Sequence, residues 1–140
     1  MKKVLLWLDD FRDPSLDPRL YYFNPDHLAY EIVWVKSYNE FCAWITDNGL
    51  PTKISFDHDL HDEHYAPPER WEDYNDWSKE QNFKEKTGMD CVNWLVDYCL
   101  DNNALLPTWV CHTANPAGRV NMASKLMSFM KFQTDNGIIS

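Results

Sequence analysis

The sequence predicts an α/β domain built on an open, mostly parallel sheet of four strands, or five if the short Ile138-Ile139 remnant joins it. Three observations predict it. Short apolar runs alternate with stretches of helical periodicity, the pattern of parallel strands joined by right-handed crossovers. The first of those runs is apolar throughout rather than alternating, as a strand covered on both faces reads. Three of the runs end in polar clusters, Asp9-Asp10, Asp57-His58-Asp59 and His112-Thr113-Ala114-Asn115. In an open α/β sheet the ligand crevice lies at the carboxyl ends of the strands, so the fold itself makes these clusters converge.

Val4-Leu5-Leu6-Trp7-Leu8, stopped by Asp9-Asp10, is the first strand. Residues 11–30 carry Pro14, Pro18 and Pro25 and read as loop with at most a short helix. Ile32-Val33-Trp34-Val35 is the second strand, and Ser37 with Glu40 forms a capping box that opens a helix carrying Phe41, Trp44 and Ile45, closed by Asn48-Gly49. Lys53-Ile54-Ser55-Phe56 is the third strand. Residues 61–86 are polar and acidic yet hold Trp71, Tyr74, Trp77 and Phe83, which makes them an ordered insert or lid, with all three of Trp71, Tyr74 and Trp77 too apolar to lie in solvent. After Gly88 comes a helix with Cys91, Leu95, Val96 and Cys99 on one face. Pro107-Thr108-Trp109-Val110-Cys111 is the fourth strand. The last helix has Val120, Met122, Leu126, Phe129 and Met130 as its apolar set and stops at Asn136-Gly137.

At 140 residues the chain is one domain, 1–140, since a second core would not fit. A hydrophobic share of 44% and a charged share of 25% exclude a disordered or fibrous chain, and 7 Trp, 7 Tyr and 7 Phe provide a large area to bury. The net charge of −9 repels a polyphosphate backbone, which excludes bulk DNA binding by charge. No run is long enough for a membrane span or a secretory leader, so a cytoplasmic protein is expected. Cys42, Cys91, Cys99 and Cys111 include no CxxC pair and read as buried thiols rather than as a disulfide or zinc knuckle.

The polar clusters carry the chemistry. Carboxylates crowded within a few ångströms repel one another unless a cation sits between them, and oxygen ligands suit Mg²⁺ or Mn²⁺. Asp9, Asp10, Asp57 and Asp59 are therefore the candidate metal ligands. Alternation along the strand sends Asp57 and Asp59 one way and His58 the other. The imidazoles of His58, His61, His64 and His112 widen the choice to Zn²⁺ or Fe; the competing reading of His61 and His64 is a solvated lid. His112, at the end of the fourth strand, is placed to move a proton to or from a bound phosphate, and a core histidine is the competing reading. Thr113, Asn115 and Arg119 stand where the last helix begins, the place of an anion site; for Arg119 a plain surface charge competes.

With Leu8-Asp9-Asp10, Ser55-Phe56-Asp57-His58-Asp59-Leu60, Thr87-Gly88 and His112-Thr113-Ala114-Asn115-Pro116-Ala117-Gly118, the sequence resembles the cyclic-phosphate-processing receiver-like family over nearly its whole length. The resemblance implies a receiver-like, flavodoxin-like sheet in the order 2-1-3-4 and action on cyclic phosphates arising in RNA repair or nucleotide metabolism. It aligns Asp9 and Asp10 with the metal-binding acidic pair of receivers, Asp57 with their phospho-accepting aspartate, and Thr113 with the hydroxyl residue after the fourth strand. The lysine that receivers place after a fifth strand has no counterpart here.

The expected function is a metal-dependent phosphoesterase that opens a cyclic phosphate on a small nucleotide-like ligand or an RNA end. His112 or His58 would shuttle the proton and Asp57 would hold the metal or, less simply, accept the phosphoryl group. The rival is a non-catalytic receiver-like module that binds a phosphorylated ligand or a partner.

Overall fold

The computed structural model describes residues 3–137, the Asp62 side chain aside. Strands β1 (Val4–Leu8), β2 (Glu31–Val35), β3 (Lys53–Phe56) and β4 (Thr108–Cys111) form one sheet in the order β2-β1-β3-β4, with every pairing parallel. The expected order and class are those observed. Ile138-Ile139, the candidate fifth strand, lies outside the described residues.

Leu5 to Leu8 are fully buried because β1 is central and covered on both faces. On one face Leu6 and Leu8 join Ile54, Phe56 and the apolar sides of helices α2 (Tyr38–Asn48), α4 (Gly88–Asn102) and α5 (Pro116–Asp135). On the other, Leu5 and Trp7 pack with Leu20 of the short helix α1 (Arg19–Phe23). Residues 11–30 are thus mostly loop, as three prolines require.

The helix starts follow the sequence closely. Ser37 Oγ accepts the Glu40 N–H at 3.1 Å, although the Glu40 carboxylate reaches the Lys36 N–H instead of closing the box on Ser37. Gly49, at φ 82°, ends α2 in a conformation that glycine adopts without a Cβ penalty. Thr87 and Asp90 form a reciprocal capping box on α4, and Asn115 caps α5 by accepting the Gly118 N–H at 3.0 Å.

Two apolar assignments need correction. In α5, Met122, Leu126, Phe129 and Gln133 face the core, whereas Val120 and Met130 are exposed. The buried Gln133 accepts the Leu106 N–H and donates to the Ala104 carbonyl, so its amide serves the loop before β4. In the insert, helix α3 (Tyr74–Glu80) buries Tyr74 against Trp77 and Trp77 against Phe83, but Trp71 is 63% exposed. Burial of α3 needs only the i, i+3 pair that shares a face, and Trp71 precedes the helix.

Candidate active site

The backbone ladder continues one residue past each strand. Asp9 N–H donates to the Val35 carbonyl, Asp57 N–H to Leu8 and His112 N–H to Phe56, at 3.0, 3.0 and 2.9 Å. Asp9, Asp57 and His112 therefore stand abreast at the carboxyl edge. By strand alternation their side chains leave on the face of Trp7 and Ser55. One oxygen each of Asp9, Asp10 and Asp57 lie within 4.8 Å of one another. Three of the four expected metal ligands thus converge.

Asp59 does not join that group. Strand β3 ends at Phe56, and the turn that follows, fixed by the 2.7 Å bond from Gly88 N–H to the His58 carbonyl, breaks the alternation that would have carried Asp59 back to the Asp57 side. Its carboxylate instead pairs with His58 Nδ1 at 2.7 Å and accepts from Asn115 Nδ2 at 3.2 Å.

Asp9 is held on every side. Its oxygens accept from the Phe11 and Arg12 N–H groups, from Arg12 Nη1 and from His112 Nε2. Burial raises its pKa, but these bonds outweigh burial and leave the carboxyl below its usual range. Asp57, with less support, is pushed up to about 8 by burial and by the Asp9 charge, against the lowering effects of Arg12 and the Thr113 hydroxyl. Asp10, half-buried, rises to about 6 for the same two reasons. Acids raised by burial and by a neighbouring negative charge are what a cation between them would relieve, and an all-oxygen donor set fits Mg²⁺ or Mn²⁺.

His112 is fully buried and stacked on Trp7, with ring centroids 3.8 Å apart. Asn24 Nδ2 donates to Ser55 Oγ, Ser55 Oγ–H donates to His112 Nδ1 at 2.8 Å, and Nε2–H donates to Asp9 at 3.0 Å. Burial lowers its pKa, so the ring is neutral and both nitrogens are occupied. The geometry makes it the residue that orients Asp9, with no nitrogen left for a phosphate.

His58 packs its ring against Gly118, where an added Cβ would lie 2.5 Å from Cγ. His64 is also buried, accepting the Leu60 N–H and bonding the Glu85 carbonyl, so it staples the insert and is not a ligand, while His61 is exposed. Thr113 is buried beside Asp57. Arg119 is exposed and commits Nη2 to the Thr113 carbonyl.

Sequence reasoning missed Arg12. Its Nη1 lies 3.3 Å from Asp9 and 3.4 Å from Asp57, bridging two strands. A positive charge thus reaches the acids from the loop after β1. Tyr65 was missed too, and its hydroxyl donates to Asp10 at 3.4 Å.

The model of the Cyclic-phosphate processing Receiver domain family matches residues 4–128. The chain belongs to this family. The match takes in all four strands and every acid of the site. Neither a curated protein nor a solved structure matches the chain significantly.

Proposed function

We propose that this cyclic-phosphate-processing receiver domain is a metal-dependent phosphoesterase that opens a cyclic phosphate on a small nucleotide-like molecule or an RNA end. The observation that carries the reading is the convergence of Asp9, Asp10 and Asp57 within 4.8 Å, in a chain of this family. Asp9, fixed by His112, and Asp57 and Asp10, raised by burial and by the Asp9 charge, would hold the cation. A bound divalent cation supplies charge neutralisation and acidifies water at neutral pH.

The protein's own groups do the rest. Arg12, already between Asp9 and Asp57, is the cation best placed to hold a phosphate oxygen, in the role expected of Arg119. Water loses a proton as it adds to phosphorus, one ring P–O ester bond breaks, and the leaving alkoxide takes that proton to give a monoester. With His112 occupied, we assign that proton transfer to His58, whose Nδ1 is held by Asp59 as an orienting carboxylate. Thr113 and Asn115, expected to bind substrate, instead bond Asp57 and Asp59 and would position them.

A second reading has one observation in its favour: Arg12 already neutralises part of the acid edge, so the same pocket suits a binding module that returns its ligand intact. A panel of cyclic nucleotides and cyclic-phosphate-ended RNAs, each with Mg²⁺, Mn²⁺ and Zn²⁺, separates the two. A ring-opened product that disappears in Asp57→Asn supports the enzyme; ligand bound and recovered unchanged supports the module.

A further inference from the structure

Beside the acid edge, between the insert and the start of α5, lies a cavity of about 370 Å³. Its walls are Tyr65, Trp71, Tyr74 and Pro116, and Asp59 and Asn115 give it a polar end. We propose that this cavity is the seat of a nucleobase, so that the substrate is a nucleotide bound by its base here and by its phosphate at the acids. The phosphate half of the statement rests on the function proposed above; the base half does not.

Four observations carry it. The size lies within the range of small-ligand pockets, roughly 300–1,000 Å³. Three of the eight lining residues are aromatic, Tyr65, Trp71 and Tyr74, and base–aromatic stacking binds any base through its π-face. Trp71, 63% exposed, is nevertheless held in place by its own indole N–H, which donates to the Ala66 carbonyl at 2.8 Å. A large exposed ring fixed at the rim of a cavity is a stacking platform rather than a core residue out of place. Finally, Tyr65 belongs to both sites: its ring lines the cavity while its hydroxyl bonds Asp10 at 3.4 Å. One molecule with a flat polar ring at one end and a phosphate at the other spans them. Asp59 takes His58 and Asn115 on its Oδ1, which leaves Oδ2 to accept an N–H on a base edge, a group that an aliphatic side chain lacks.

The test uses nucleosides as probes, since they carry no phosphate and need no metal. In ¹H–¹⁵N spectra of the full chain, the indole signal lost in Trp71→Phe identifies Trp71. Guanosine or adenosine should shift that signal, and ribose should not. Trp71→Ala should weaken nucleoside binding by roughly 5- to 100-fold, the span of base–aromatic stacking, while Trp71→Phe recovers part of the loss. An unchanged melting curve shows that the variant remains folded. If nucleosides leave the Trp71 signal in place, or if ribose moves it equally, the base site is wrong. The two readings fail separately. Trp71-dependent nucleoside binding without ring opening keeps the base site and removes the enzyme, whereas opening of glycerol cyclic phosphate as efficiently as of cyclic nucleotides keeps the enzyme and removes the base site.

Discussion

His112 shows how burial decides what a residue type can do. A histidine ending a strand beside carboxylates reads as a proton carrier, yet with Ser55 on one nitrogen, Asp9 on the other and Trp7 across its face it is part of the scaffold. His112→Ala removes a donor from a buried carboxylate and empties a packed site, changes that cost about 2–5 kcal/mol. The melting temperature and Mn²⁺ affinity should therefore fall together. A His112→Ala protein that melts like the parent but has lost turnover would return the proton to this ring. The acids were legible because carboxylates at strand ends have few structural uses. Arg12 was not, because an arginine in an Asp- and Pro-rich loop looks like any surface charge until the loop curls back on a residue 45 positions away.

At the scale of elements, two helix starts press on the site from below. A Cβ on Gly88 would meet the Asp57 carbonyl at 2.0 Å and the His58 Cα at 2.9 Å, both backbone atoms that cannot yield. On Gly118 it would meet the His58 side chain, Cγ at 2.5 Å and Cβ at 2.8 Å, rather than backbone. Gly88→Ala should thus cost more than Gly118→Ala, at or above the roughly 1–3 kcal/mol of ordinary overpacking. Urea unfolding of the two variants checks the order; equal effects would mean that the Asp57 turn adapts. Strand order and the three long helices were legible from runs, caps and resemblance. The faces of α5 and of the insert were less so, because Gln133 is buried for its hydrogen bonds and Trp71 is exposed at a cavity, and hydropathy ranks both the other way.

Across the whole molecule, the fold of a chain of net charge −9 brings acids from separate strands to one edge, and pH should reveal it. Asp57 rises from an ordinary 3.8 to about 8 and Asp10 to about 6, so between those values and 3.8 the native state binds more protons than the unfolded chain. Their contribution to stability is complete below pH 3.8 and is lost as pH rises through 6 and then 8. Asp9 acts in the opposite sense, since its lowered pKa gives stability that is lost in acid. Total stability is therefore a poor readout, and the difference between the parent and Asp57→Asn is a good one. Without metal, that difference should move in favour of the asparagine variant as pH rises from about 4 to about 8, because the variant keeps the shape and discards the repelled charge. With Mn²⁺ the order should reverse. The cation displaces protons from Asp57 and Asp10, so its stabilisation of the parent should grow with pH, to about 2.7 kcal/mol when present at 100 times its dissociation constant. Melts of both proteins in EDTA and in Mn²⁺ at several pH values measure all four curves. A Mn²⁺ effect equal at low and high pH, or equal in the two proteins, would place any bound cation away from these acids.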